Sequence, residues 1–377
     1  MGNDCLRALH HALLATITLL ATGLASADTA APVDRIPITT ARAVVQRAIE
    51  LVETQALYPR SQEDYAAAKA RLLTALDGAG DEVERQQVLA PIMALLNTLD
   101  ADGHAFIMAP RWQRHVQQTL STVRAQPKVS SFALVPTAHG PVLRWTPPQS
   151  LGELKTEAPL FLARFNRDYA ATSGADKACA LVIDLSAQVG GNAWPPLFAM
   201  HPLFTDGNLA RWVDRDGART PLVQPPGLRE TYAFHAGASP NPLRRFGGTP
   251  LAVVSGKTTS SAGEMLLVAL MGEGARVRTF GHTTHGLSNA NASHTLADGS
   301  LLGLTTKRYA IGDGAPIRGG IAPQVSAGSS ATIDDAVLQA AEWAAQAAPL
   351  CGSIVPTPPA AAAHPRHSRA PSGASSP

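Results

Sequence analysis

Apolar positions along this chain follow two different periods. Between residues 39 and 100 they recur at helical spacing. Val44, Val45, Ala48, Leu51 and Val52 share one face of a segment with Thr39 or Thr40 at its cap, a second run over 61–80 ends at glycines, and a third covers 81–100. Three helices are expected there, forming a small N-terminal helical domain over 28–110. Asp102-Gly103-His104 follows, and then an extended Ala-Phe-Ile-Met. From Val129 onward, short apolar runs alternate with Gly and Pro. Residues 132–136 and 141–145 read as paired strands, 158–171 as a helix, and 180–185 as a continuous apolar strand of the kind buried on both faces. A Gly190-Gly191-Asn192 loop comes next, and a helix begins within 194–204. Residues 250–255 form a second buried strand that leads through 257–261 into a helix from 262. Beyond it come a strand over 275–280, a hairpin over 294–306 with Asp298-Gly299 at its turn, and a last helix over 332–347. Strands alternating with helices over 125–350 predict an α/β core.

The two ends have different textures. Arg7 precedes an apolar run over 12–24, and Ala25-Ser26-Ala27 follows as a small-residue cleavage site. Residues 1–27 therefore read as a secretory signal peptide. The alternative is an uncleaved anchor, but the run falls short of the ~20 apolar residues a spanning helix needs. Residues 353–377 are a Pro/Ala/Ser tail without apolar period, expected to stay disordered. A periplasmic or secreted protein with no membrane span after cleavage is the expectation.

Composition narrows the function. The 377 residues are 45% hydrophobic and 16% charged, which excludes a disordered chain. The formal net charge is +2, with no basic stretch on one segment, so a nucleic-acid partner is not expected. Three cysteines exclude a disulfide-dense scaffold and a four-thiolate metal cluster. Signal cleavage removes Cys5. Cys179 and Cys351 then either pair in an oxidising compartment, or Cys179 stays a free buried thiol at the head of its strand.

Three features carry candidate chemistry. Ser261, at the junction of a buried strand and a helix, lies where helix amides favour an alkoxide and its oxyanion. The same Ser261-Ala262-Gly263-Glu264 is also a capping box, S-x-x-E, which needs no catalysis, so both roles stand for this segment. Consecutive amides at Gly190 and Gly191 form a potential anion nest, or simply a turn that glycine alone tolerates. His104 has the unperturbed pKa of a general base. His282 and His285 lack the spacing of a zinc helix, so neither a metal nor another cofactor is expected.

Taken in order, Asp102-Gly103-His104, the strand ending Ile-Asp-Leu with its Gly-Gly loop, Thr259-Ser260-Ser261-Ala262-Gly263-Glu264, FGHTTHGLSNAN, DGSLLGLTT and GGIAPQ resemble the tail-specific, or C-terminal-processing, serine peptidase family over about residues 40–330. Its relatives include the tricorn core, the interphotoreceptor retinoid-binding protein repeats and the nisin-resistance proteases. The resemblance implies a crotonase/ClpP-like core, with Ser261 as nucleophile, Glu264 supporting it, and the amides of Ala262 and Gly190 or Gly191 as oxyanion hole. Many relatives use a lysine base in the segment matching 281–287, but Leu287 stands there. Other branches use a histidine in D-x-H, which maps onto His104. By the nisin-resistance branch, Asn192 lies in the substrate groove. The chain departs from the family at Ser186-Ala187-Gln188, where Arg-Gly-Asn is usual, and at Gln324, where Asp is usual. A glutamate found near Ile317 and Arg318 in tricorn-like members has no match here. The short stretch between His104 and the strand at 180 leaves little room for a PDZ domain, which is expected to be absent. The resulting expectation is an exported serine endopeptidase acting on a peptide or protein through an acyl-enzyme. The alternative is a non-catalytic binding protein for a peptide or hydrophobic ligand on the same fold. An esterase is a weaker idea, since G-x-S-x-G is missing.

Overall fold

A computed structural model describes residues 34–125, 131–237 and 240–351. The readings of 1–27 as a signal peptide and of 353–377 as a tail lie outside the described residues. Among the described residues no helix is long and apolar enough to cross a membrane.

The N-terminal part packs α1 (Ile38–Gln55), α2 (Gln62–Thr74) and α3 (Arg85–Leu96) around Val44, Leu51, Leu72, Ile92 and Leu95. The expected third helix is shorter than its apolar pattern suggested. Residues Glu82–Glu84 instead form β2, antiparallel to β1 (Arg35–Pro37), because Val83 alone turns inward between two exposed glutamates. Period-2 burial over three residues is invisible beside a helical stripe. After β3 (Phe106–Met108) comes α4 (Pro110–Ala125), which the apolar pattern had not signalled.

The central sheet has six strands in the order β13-β10-β9-β6-β5-β4. Strands β4 (Phe132–Val135) and β5 (Val142–Trp145) pair antiparallel, as expected. From β5 onward the neighbours run parallel, through β6 (Ala180–Asp184), β9 (Leu251–Ser255), β10 (Val277–Gly281) and β13 (Val325–Ser326). Every residue of β6 and β9 is buried, which explains their uninterrupted apolar sequences. One face of the sheet is covered by α5 (Leu154–Ala171), α6 (Trp194–Met200), α7 (Pro225–Ala236) and α8 (Ala262–Met271). The other is covered by α9 (Ile333–Ala347), whose alanines at 336, 340, 341 and 344 permit close approach. Cys179, at the head of β6, and Cys351, beyond α9, form a disulfide.

A second sheet, β11-β12-β7-β8, stands beside the first. It comprises β11 (Asn289–Thr295), β12 (Leu301–Ile311), β7 (Ala210–Val213) and β8 (Arg219–Pro221). The long β12 takes β3 against Leu301–Gly303 and β7 against Arg308–Ile311. Leu296, Leu302 and Leu304 of this hairpin share the core of the N-terminal helices. Pairing of β3 to β12 thereby fixes the Asp102–His104 turn against the start of β11.

Candidate active site

In a parallel sheet the loops beyond the carboxyl ends of adjacent strands emerge side by side. Here β6, β9 and β10 deliver residues 185–193, 256–261 and 282–288 to one end. Hydrogen bonds stitch the first two loops together. Thr259 Oγ1 donates to Leu185 O (2.8 Å), Thr258 Oγ1 to Ser186 O (2.8 Å), Ser260 N–H to Gln188 O (2.9 Å) and Ser260 Oγ to Val189 O (2.7 Å). Ser186 and Gln188 of the unusual Ser186-Ala187-Gln188 are held in this frame. Ser186 N–H donates to Asp184 Oδ1 (2.9 Å), and Gln188 Nε2 to Pro147 O (2.5 Å). Gln324 likewise has a structural use, since its Oε1 accepts Thr279 N–H at 3.0 Å and its N–H donates to Thr279 Oγ1 at 2.8 Å.

Ser261 is half-buried at the head of α8 with φ 50° and ψ −111°. Apart from Asp102, it is the only non-glycine residue with positive φ among those described. Such a conformation costs of order 1–3 kcal/mol and persists only where surroundings enforce it. Ser261 and Glu264 form a capping box: the carboxylate accepts Ser261 N–H at 3.0 Å, and the serine side chain faces the Glu264 N–H without a full hydrogen bond. An ordinary N-cap residue sits in the extended region, so the cap alone does not explain this backbone.

Glu264 is completely buried. Its carboxylate also accepts from Thr284 Oγ1 (2.5 Å) and Gly286 N–H (2.9 Å). Thr284 Oγ1 itself accepts Ile321 N–H at 2.8 Å, which leaves its proton for Glu264. Burial pushes the Glu264 pKa up, and the three donors oppose that shift. Glu264 thus ties the turn at Ser261 to the loop after β10.

Gly190 lies against Ser261. A Cβ at Gly190 would stand 3.4 Å from Ser261 Cβ and 3.7 Å from Oγ. Both Gly190 (φ 128°) and Gly191 (φ 106°) adopt backbone that L side chains rarely reach. Among the hydrogen bonds of the described residues, none uses the N–H of Gly190, Gly191 or Ala262. Asn192 is occupied locally. Its N–H donates to Ser150 O (2.7 Å), its Nδ2 to Gly152 O (3.3 Å), and its Oδ1 accepts Trp194 N–H (3.1 Å).

His104 follows two left-handed residues, Asp102 (φ 51°) and Gly103 (φ 75°). Its Nδ1 lies 2.5 Å from Asn289 Oδ1. Asn289 Nδ2 donates to Ala101 O (3.1 Å) and Asp102 Oδ2 (3.4 Å). Arg308, opposite Asn289 in the β11–β12 ladder, donates to Asp102 Oδ2 at 2.6 Å and pairs with Asp100 Oδ1 at 3.0 Å. Burial lowers the His104 pKa, against the Asn289 hydrogen bond and the Asp102 charge, which raise it. No hydrogen bond joins His104 to Ser261 among those of the described residues. Asn289 escaped the sequence reading because no spacing relates it to His104. Only the pairing of β3, β12 and β11 brings them together.

A strained serine thus stands between a buried strand and a helix, beside a double-glycine loop in an α/β core. The chain matches the model of peptidase family S41 over residues 161–327. Over 127 residues it is 31% identical to the nisin-resistance protein of Lactococcus lactis subsp. lactis, an alignment covering 33% of this chain and 39% of that protein. The match therefore spans well under half of that relative's length. Among solved structures, a lipoprotein from Streptococcus agalactiae superposes with a TM-score of 0.60 at 16% identity, over 85% of this chain and 99% of the other. A photosystem II D1 C-terminal processing protease gives 0.48 at 14% identity, over 81% and 98%. The first of these likenesses establishes a shared fold.

Proposed function

We propose that this protein is an exported serine endopeptidase in which Ser261 is the nucleophile and His104 the general base. The observation that carries the reading is the backbone of Ser261, strained at φ 50° beside a glycine whose added Cβ would fall 3.7 Å from the hydroxyl. A structural cap has no use for that strain, whereas a nucleophile presented on a sharp turn does.

In this reading Ser261 Oγ attacks the peptide carbonyl carbon while its proton passes to His104. The carbonyl oxygen becomes an oxyanion, held by the free amides of Ala262 and of Gly190 or Gly191 at the N-terminus of α8. The C–N bond then breaks, and the leaving amine takes the proton from His104. Water, deprotonated by the same imidazole, attacks the acyl-enzyme; the bond to Ser261 Oγ breaks, the imidazolium returns its proton to that oxygen, and the new carboxylate leaves. Burial lowers the His104 pKa and so favours the neutral imidazole this scheme needs. Asn192 contributes by shaping the glycine loop, and Glu264 by holding Ser261 N–H. A non-catalytic binding role would draw on the missing Ser261–His104 hydrogen bond. Such contacts are often long without substrate and tighten on binding.

The test is peptide cleavage by Ser261→Ala, His104→Ala and the double variant. Each single change is expected to cost on the order of 10⁴ or more in rate, and the double no more than either alone. Folded Ser261→Ala protein that cleaves like wild type would defeat the assignment.

A further inference from the structure

We propose that Asn289 is the positioning residue for His104: it orients the ring and fixes which nitrogen is free, the part a buried carboxylate plays in a Ser-His-Asp triad. This rests on the reading of His104 as the base.

A primary amide has a donor end and an acceptor end, and its neighbours decide which way it faces. Asn289 is 1% exposed. On one side lie Ala101 O at 3.1 Å and Asp102 Oδ2 at 3.4 Å. The first accepts only, and the second belongs to the Asp102 carboxylate, which accepts from Arg308 at 2.6 Å. The NH₂ end must face them, because a flipped amide would set oxygen against two oxygens. Oδ1 therefore faces His104 Nδ1 at 2.5 Å, and an acceptor there requires a proton on Nδ1. In the neutral ring, Nε2 then holds the free lone pair.

The rest of the residue is pinned as firmly. Asn289 N–H donates to Leu287 O (2.9 Å), and its carbonyl accepts Tyr309 Oη (2.9 Å). Asn291 Nδ2 holds His104 O at 2.8 Å, while its own Oδ1 accepts Thr305 Oγ1 at 2.6 Å. A register shift between Ala290 and Asn291 marks a bulge here, a device that re-aims side chains. Asn289 also lies three residues beyond Gly286, whose N–H shares the Glu264 carboxylate with Ser261 N–H. One short loop thus sets both the nucleophile's turn and the base's partner. Asp102, one step behind the amide, supplies negative charge already matched by Arg308.

Two measurements on the full chain test this. In ¹⁵N-imidazole-labelled protein, with His104→Ala identifying the signal, long-range ¹H–¹⁵N correlations are expected to show His104 protonated at Nδ1 near neutral pH. An Nε2–H tautomer would overturn the proposal, even if every Asn289 variant fails to fold. Asn289→Leu keeps the volume and removes the acceptor. It is expected to lose that tautomer and on the order of 10² or more in kcat, with KM little changed. A folded Asn289→Leu protein with wild-type tautomer and kcat would also overturn the proposal. If wild-type protein neither cleaves peptides nor depends on Ser261, the Ser–His reading fails separately, because the tautomer measurement does not depend on activity.

Discussion

Replacing Gly190 by Ala separates catalytic geometry from folding, because the two glycines of the loop respond differently. At Gly190 the new Cβ would meet Ser261 Cβ at 3.4 Å and Oγ at 3.7 Å, both ordinary contact distances. Collision therefore does not unfold the protein. The stability cost comes from the backbone, held at φ 128°, and is about 1–3 kcal/mol. For a chain of this size each kcal/mol lowers Tm by roughly 1–2 °C. Activity should suffer more, because the methyl group crowds the serine hydroxyl where the substrate carbonyl must settle against the loop amides. Loss of one oxyanion donor alone costs about 10²–10³ in kcat. At Gly191 the balance reverses. Its Cβ would stand 2.3 Å from Ser150 O and 2.8 Å from Leu151 Cδ2, so one of the two loops must move. Gly191→Ala should therefore lose more stability than Gly190→Ala. Thermal unfolding and kcat/KM measured on the same preparations make the comparison. Near wild-type activity in Gly190→Ala would refute the placement of the oxyanion at this loop, and an unperturbed Tm in Gly191→Ala would refute the packing against Ser150.

Three further outcomes follow, two from titration and one from the disulfide. Burial sets the His104 pKa below its ordinary 6.5, so the acid limb of kcat/KM should have its midpoint below pH 6.5; a midpoint above it would contradict the burial argument. His201 is pushed down to about 4 by burial and by Arg229, so the unfolded chain binds its proton first. That contribution to stability should be intact above pH 6.5 and fall away towards pH 4, and His201→Gln should flatten the dependence of Tm on pH across that window. Cys179–Cys351 closes a loop with a sequence separation of 172, for which chain entropy gives about 5 kcal/mol and measured bridges typically about 2–4. Cys351→Ser should lower the denaturant midpoint accordingly, and an unchanged midpoint would show that the bridge contributes nothing.

Where burial was two-sided or strictly periodic, the sequence could be read directly. β6 and β9 are continuous apolar runs because both faces are covered, and α1 shows its stripe because one face is. Ser261 was legible from its place between a buried strand and a helix, and Gly190-Gly191 from their position after β6. Less visible were elements whose local chemistry argues against them. α7 opens with Pro225, Pro226 and Gly227, residues that read as a turn, yet prolines suit a first helical turn. β7 and β8 are short, with exposed or half-buried polar positions, and exist because β12 supplies a partner. Asn289 is the clearest case. An asparagine at the start of a strand reads as a turn residue, and its task depends on Asp102, Arg308 and His104, which converge only through sheet pairing. The group beside the imidazole is the Asn289 amide, not a carboxylate from the turn at Ile317 and Arg318.

The most direct test of the central claim is covalent labelling of the purified wild-type protein with a fluorophosphonate, followed by mass spectrometry of its peptides. Such a probe reacts with a serine only when a base activates the hydroxyl and amides receive the oxyanion. The expected result is a single adduct on Ser261, absent from Ser261→Ala and strongly reduced in His104→Ala. No adduct on folded wild-type protein, or one that forms equally well without His104, would contradict the account.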